Sequence, residues 1–189
     1  MFRGAMLALN EGKPELAISI GEELCASDDE GDRLSGYLCL GYAYEDLEAE
    51  SGRNLERALG YYRQVSLLTP SPLPFLLMAR VSMRVGGDEG FESALRYLQE
   101  VEKFGVTPEL LLGFAHYYRF GSQKSLKKAR DFYLRAATRG RFSGFLGYSD
   151  VARELNQKWR ARLMDSLRVL LAPLIVVLIG RRAREAFID

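Results

Sequence analysis

A single histidine and two cysteines are all that 189 residues supply of the ligands from which most transition-metal sites are built. His116 has no cysteine or histidine at ligand spacing and no serine or cysteine beside it in sequence, which leaves neither a zinc site nor a nucleophile pair. A packed or groove-facing imidazole is expected. Cys25 and Cys39 both fall within helical patterns and read as small buried thiols, so nothing demands an oxidising compartment. Gly86-Gly87 and Gly90 lack both a following Lys-Ser/Thr and a preceding strand, which excludes a phosphate-binding loop. The acidic link Asp28-Asp-Glu-Gly-Asp32 lacks the glycine and the distal glutamate of a calcium loop in register, and is expected to be solvated. No metal or cofactor is expected, and the chain reads as non-enzymatic. The apolar stretch before Asn10 is too short for the core of a secretory signal, which places the expected location in the cytoplasm.

What the chain has in quantity is repetition. Leu55-Glu-Arg-Ala58, Phe91-Glu-Ser-Ala94 and Leu126-Lys-Lys-Ala129 are versions of one phrase, with alanines 36 and 35 residues apart. A period of that length belongs to stacked helix pairs. Each phrase runs into apolar residues on one helical face, Tyr61-Tyr62-Val65, then Tyr97-Leu98-Val101, then Phe132-Tyr133-Ala136. The alanine marks where a neighbouring helix comes close.

The helix before each phrase, helix A of its pair, repeats as Leu40-Gly-Tyr-Ala-Tyr44, Leu77-Met-Ala-Arg-Val81 and Leu112-Gly-Phe-Ala-His116. Glycine-bearing turns and prolines near helix starts separate the elements. The expected units are about 1–27, 33–68, 73–104 and 108–140, with a partial one at 142–157, giving a repeat body over 1–157 and a tail over 158–189. No helix B partner is recognised after Phe145-Leu-Gly-Tyr148.

The best copy, Leu112-Gly-Phe-Ala-His-Tyr117 with Gly121, Lys128-Ala129 and Ala136-Ala-Thr-Arg-Gly140, resembles the tetratricopeptide-related Sel-one-like repeats, and residues 35–150 share the resemblance. The middle copy has Met78 in place of the glycine, and the Ala-Ala-x-x-Gly ending is lost in the first two copies. The resemblance implies an all-α, right-handed α-solenoid of antiparallel helix pairs, acting as an adaptor or assembly factor. In such a groove, residues just off the apolar stripe of helix A face a protein partner. Tyr44, Arg80, Arg84, His116 and Arg119 are those candidates.

The charge is graded along the chain. Residues 1–60 carry 5 Lys/Arg against 13 Asp/Glu, and residues 121–189 carry 15 against 6. The basic end also holds the tail. Val169 to Ile179 is eleven residues without charge, about 16 Å of helix, where a span needs about 20 residues. Cations bracket the run on both sides, which argues against passing either end through a bilayer. A hydrophobic helix in shallow membrane contact over 163–180 is therefore expected, with Trp159, Arg160, Arg162, Arg168, Leu174, Val177, Leu178, Arg181, Arg182 and Arg184 at the surface. Upstream, Asp165 and Arg168 are expected to stay near the headgroups or pair with each other. The basic stretch Lys124–Arg141 fits anionic lipid or an acidic partner better than nucleic acid. The combined expectation is an adaptor at the inner face of a membrane, serving a membrane-bound assembly. The alternatives are a soluble repeat protein whose tail is a cap or oligomer interface, and a regulatory subunit of an enzyme.

Overall fold

The computed structural model describes the backbone of residues 1–47 and 51–179, and the side chains of these apart from 51 and 172–179. Among the described residues all regular structure is helical. The ten helices are α1 (Phe2–Asn10), α2 (Pro14–Cys25), α3 (Glu30–Asp46), α4 (Ser51–Leu68), α5 (Leu73–Val85), α6 (Gly87–Glu102), α7 (Pro108–Phe120), α8 (Leu126–Thr138), α9 (Ser143–Glu154) and α10 (Lys158–Ile179). Pro14 and Pro108 open their helices, and Pro74 lies within the first turn of α5, where a missing N–H costs nothing. The Asp29 and Thr107 side chains accept from the backbone N–H groups of Asp32 and Leu110, capping α3 and α7.

The chain forms two compact units, 1–104 and 105–189. In the first, each helix from α1 to α6 packs on its sequence neighbours; in the second, α7 packs on α8, α8 on α9, and α9 on α10. Odd-numbered helices are the A members and even-numbered ones the B members. The repeat alanines Ala58, Ala94 and Ala129 are fully buried, as is Ala17 in α2. Their methyl groups are all that fits between the crossing backbones.

One sequence expectation changes here. The sequence shows no recognisable helix B partner after Phe145–Tyr148, but the first half of the tail fills that place, as in the capping alternative: α10 packs on α9, and Ala161 is buried at the crossing. The Ser149 hydroxyl donates to the Ala161 carbonyl oxygen at 3.3 Å. The alanine series is therefore 17, 58, 94, 129 and 161. Asp165 also departs from expectation, since its ion pair is with Arg153 of α9 rather than Arg168.

Two A-helix glycines admit the tyrosine four residues past the repeat alanine. A Cβ on Gly41 would lie 2.3 Å from Cε1 of Tyr62, and one on Gly147 would lie 2.3 Å from Cε1 of Tyr133. Gly41→Ala gains helix propensity worth about 1 kcal/mol, yet it must displace a ring held by hydrogen bonding at its far end. A net loss of about 1–3 kcal/mol in chemical unfolding is expected. An unchanged or raised midpoint would show that the ring has room to move.

Candidate functional site

Two of the three A-helix candidates of the first unit, Arg80 and Arg84, gather around an acid that the sequence did not single out. Glu45, near the end of α3, is only 5% exposed. Its Oε2 accepts from Tyr62 Oη at 3.0 Å and from Arg80 Nη2 at 2.6 Å, while Arg84 Nη1 reaches Oε1 at 3.1 Å. Arg80 and Arg84 sit one turn apart on α5, and each keeps 49% of its side chain in solvent. Burial alone would lower the Arg80 pKa, but the hydrogen bond and charge of Glu45 outweigh it and raise it. Burial, reinforced by the Glu45 charge, pushes the Tyr62 phenol upward, so it remains a donor. These arginines thus clasp an internal carboxylate while showing their outer edges to solvent.

The second unit repeats the plan with the signs exchanged. Arg119 of α7 donates from Nε to Glu154 Oε1 of α9 at 2.9 Å, and its Nη1 lies 3.7 Å from Asp150 Oδ2. Arg153 continues the chain of charge to Asp150 and Asp165. Both units join consecutive A helices at the same interval: Glu45 to Arg80 and Arg119 to Glu154 are each 35 residues. The B-helix tyrosine repeats too, with Tyr62 bonded to Glu45 and Tyr133 to His116, each 17 residues away. His116 Nδ1 lies 3.2 Å from Tyr133 Oη, and its ring stacks on exposed Phe120 at 6.2 Å. Desolvation, then the charge of Arg119, lowers the His116 pKa, which keeps the imidazole neutral at neutral pH. Arg119 covers the other part of the Phe120 ring at 4.9 Å.

Tyr44 lies elsewhere, in a ring stack. It packs on Tyr61 at 5.6 Å, with the Arg57 guanidinium over its ring at 5.3 Å. The second unit has the counterpart: Tyr118 stacks on Phe132 at 5.6 Å beneath the Lys128 ammonium at 4.9 Å. Arg57 and Lys128 each precede the repeat alanine and Tyr61 and Phe132 each follow it by three, so the B-helix side of both stacks repeats, while Tyr44 and Tyr118 occupy different positions of their A helices.

That register also exposes the tail's distinguishing feature. Counting from the repeat alanine, positions −2, +2, +6 and +9 form the outer ridge of every B helix. The ridge reads Glu15, Ser19, Glu23, Ala26 in α2 and Glu56, Gly60, Gln64, Leu67 in α4. It reads Glu92, Arg96, Glu100, Lys103 in α6 and Lys127, Asp131, Arg135, Thr138 in α8. In α10 it reads Trp159, Leu163, Leu167, Leu170. Trp159 is 65%, Leu163 48% and Leu170 71% exposed, and Val169 beside them is exposed as well.

The cations expected at the surface flank this stripe. Arg162 is exposed, Arg160 crosses the Trp159 ring at 5.1 Å, and Arg168 is half-buried. Leu174, Val177 and Leu178 lie on the described backbone of α10, while Arg181, Arg182 and Arg184 fall outside the described residues. By length, α10 has 22 residues against 12 in α9, so about 15 Å of it has no counterpart there. Among the described residues no helix is long and apolar enough to cross a membrane, and no group of three His, Cys, Asp or Glu gathers to hold a metal ion.

Glu45, Phe120, Asp150 and Glu154 were absent from the sequence candidates. The 35-residue interval between opposite charges on successive A helices is the signal that finds Glu45 and Glu154. Comparisons with protein-family models, with curated proteins and with solved structures gave no match to this chain.

Proposed function

We propose that this chain is a non-enzymatic, cytoplasmic adaptor of tetratricopeptide-related, Sel-one-like construction that docks on the inner face of a membrane through α10. On this reading the helix pairs continue as a right-handed solenoid, and the A-helix faces hold a protein of a membrane-bound assembly. The observation that carries the membrane part is the outer ridge of α10. At positions where the other B helices are predominantly polar, it presents Trp159, Leu163, Leu167 and Leu170, and it leads into the uncharged run Val169–Ile179. A helix that buries one face on its own unit and shows an apolar opposite face suits the boundary between headgroups and acyl chains. Lys158 and Arg162 alongside supply attraction to anionic lipid, and Trp159 suits headgroup depth.

The partner-binding part rests on the A faces. In the second unit His116 and Phe120 form an accessible aromatic plate backed by Arg119 and Tyr133, the kind of rigid anchor that interfaces favour. The ionisable groups around it are paired with one another, which supports a binding role over acid–base chemistry.

Flotation of the full chain with phosphatidylcholine/phosphatidylglycerol vesicles tests the docking. Leu163→Ser with Leu170→Ser is expected to weaken vesicle binding roughly 100-fold, since burying each leucine contributes about 1.5–3 kcal/mol. Helical circular dichroism should be unchanged because the ridge does not touch the core. A double variant that floats like the parent would remove α10 from the contact. A parent chain that stays unbound and multimeric would instead make the ridge an oligomer interface.

A further inference from the structure

The outer ridge of α8 differs in charge from those of its predecessors. Those of α2 and α4 carry Glu15, Glu23 and Glu56 without a cation, and that of α6 is mixed, with Lys103 paired to Glu100 at 2.6 Å. On α8 the ridge holds Lys127 and Arg135, and exposed Lys124 stands just ahead of the helix. The one acid of that ridge, Asp131, is engaged by Arg130 at 3.0 Å. Lys124, Lys127 and Arg135 form no ion pair with any described residue; Arg135 instead lies over the Phe132 ring at 5.2 Å. Exposed Lys128 lies on the same helix, and exposed Arg139, which donates to the Val106 carbonyl oxygen, lies just past its end.

The start of α8 is tied to the start of α10. Gln157 Oε1 accepts from Arg130 Nη1 at 3.1 Å and from Arg160 Nη1 at 3.3 Å, so this side chain, just ahead of α10, links the first turns of the two helices. Both ridges are counted from a buried alanine, Ala129 in one and Ala161 in the other.

We propose that the α8 ridge, centred on Lys127 and Arg135 with Lys124 beside them, is a binding strip for anionic lipid headgroups that works with the apolar ridge of α10. This rests on the reading that α10 enters the membrane surface and adds a second helix to the contact. Exposed cations without an ion pair gain from the negative potential of an anionic leaflet without giving up an internal carboxylate. The α10 ridge supplies the hydrophobic half, the α8 ridge the electrostatic half. Nucleic acid is the poorer match, because the α10 ridge that the strip is proposed to work with presents Leu163, Val169 and Leu170, which lipid accommodates and a polyphosphate does not.

The test uses the full chain with vesicles of phosphatidylcholine alone and of phosphatidylcholine mixed with phosphatidylglycerol. Lys127→Gln with Arg135→Gln is expected to reduce affinity for the mixed vesicles about 30-fold, at about 5-fold per charge, and to leave any binding to neutral vesicles as it was. The salt dependence should flatten with it. Charge reversal, Lys127→Glu with Arg135→Glu, should deepen the loss. Parental affinity in both variants would overturn the strip while leaving α10's role intact, whereas a parent chain that binds neither vesicle would overturn both readings. Equal losses on neutral and anionic vesicles would also overturn it. So would normal vesicle binding alongside lost binding to a single-stranded oligonucleotide, which would assign the strip to nucleic acid.

Discussion

Replacing Arg80 and Arg84 together by alanine is expected to lower the stability of the first unit by about 3 kcal/mol in denaturant unfolding. The reason is the environment of their shared partner. Glu45 is 5% exposed, and without the arginines its carboxylate is left with the Tyr62 hydroxyl alone. Removing the partner of a buried charge costs roughly 3–5 kcal/mol, and the lower end applies because the arginines themselves are half in solvent. Adding Glu45→Gln to the double variant should restore most of the loss, since a neutral amide oxygen still accepts from Tyr62 without needing a cation. A double variant as stable as the parent would mean that Glu45 reaches water more easily than its burial indicates. The same experiment bears on partner binding. Lost binding in an Arg80 or Arg84 variant is meaningful only once the Glu45→Gln background shows the fold to be intact.

Ending the chain at Gln157 should have an effect of similar size in the second unit. α10 contributes Ala161 and Met164 to the cluster that contains Tyr133, Tyr148, Val151 and Ala152, and their removal uncovers one side of α9. A loss on the order of 3–5 kcal/mol is expected, comparable to deleting a buried methionine side chain together with its surroundings. It should appear as fast amide exchange throughout α9. A chain ending at Leu170 keeps Ala161, Met164 and the Arg153–Asp165 pair, and should unfold like the parent while losing much of its apolar run. If the chain ending at Gln157 retained slow exchange in α9, α10 would not be a structural member of the unit.

Three of the alanines were legible because helix crossings leave few choices of side chain, and the aromatic residues that follow them repeat in step. Ala161 escaped notice for identifiable reasons. It follows Ala129 by 32 residues instead of 35 or 36, which breaks the period. Lys158 stands where Leu55, Phe91 and Leu126 open the earlier phrases, and Met164-Asp165 replaces the pair Tyr61-Tyr62 or Phe132-Tyr133. The run that follows drew attention to hydrophobicity and away from phase. Glu45 was hidden differently: in the acid-rich first third of the chain, a carboxylate reads as solvated unless its distance to Arg80 is set beside the repeat length. Arg80, Arg84 and Arg119 lie where A helices are bridged, and His116 where an A helix meets a B-helix tyrosine, although these inward partnerships depend on side-chain packing that periodicity does not encode.

The register of α10 separates foldability from sociability. Its inner face, through Ala161 and Met164, joins the core of the second unit; among the described residues its outer four positions are not part of that core. Rewriting Trp159, Leu163, Leu167 and Leu170 with the polar chemistry that α8 carries at Lys127, Asp131, Arg135 and Thr138 leaves every core contact in place. On the proposed reading of α10, a freely diffusing form of the molecule stands four side chains away from this one. Attachment can be gained, tuned or discarded by drift on a single helix face without the architecture having to be reinvented.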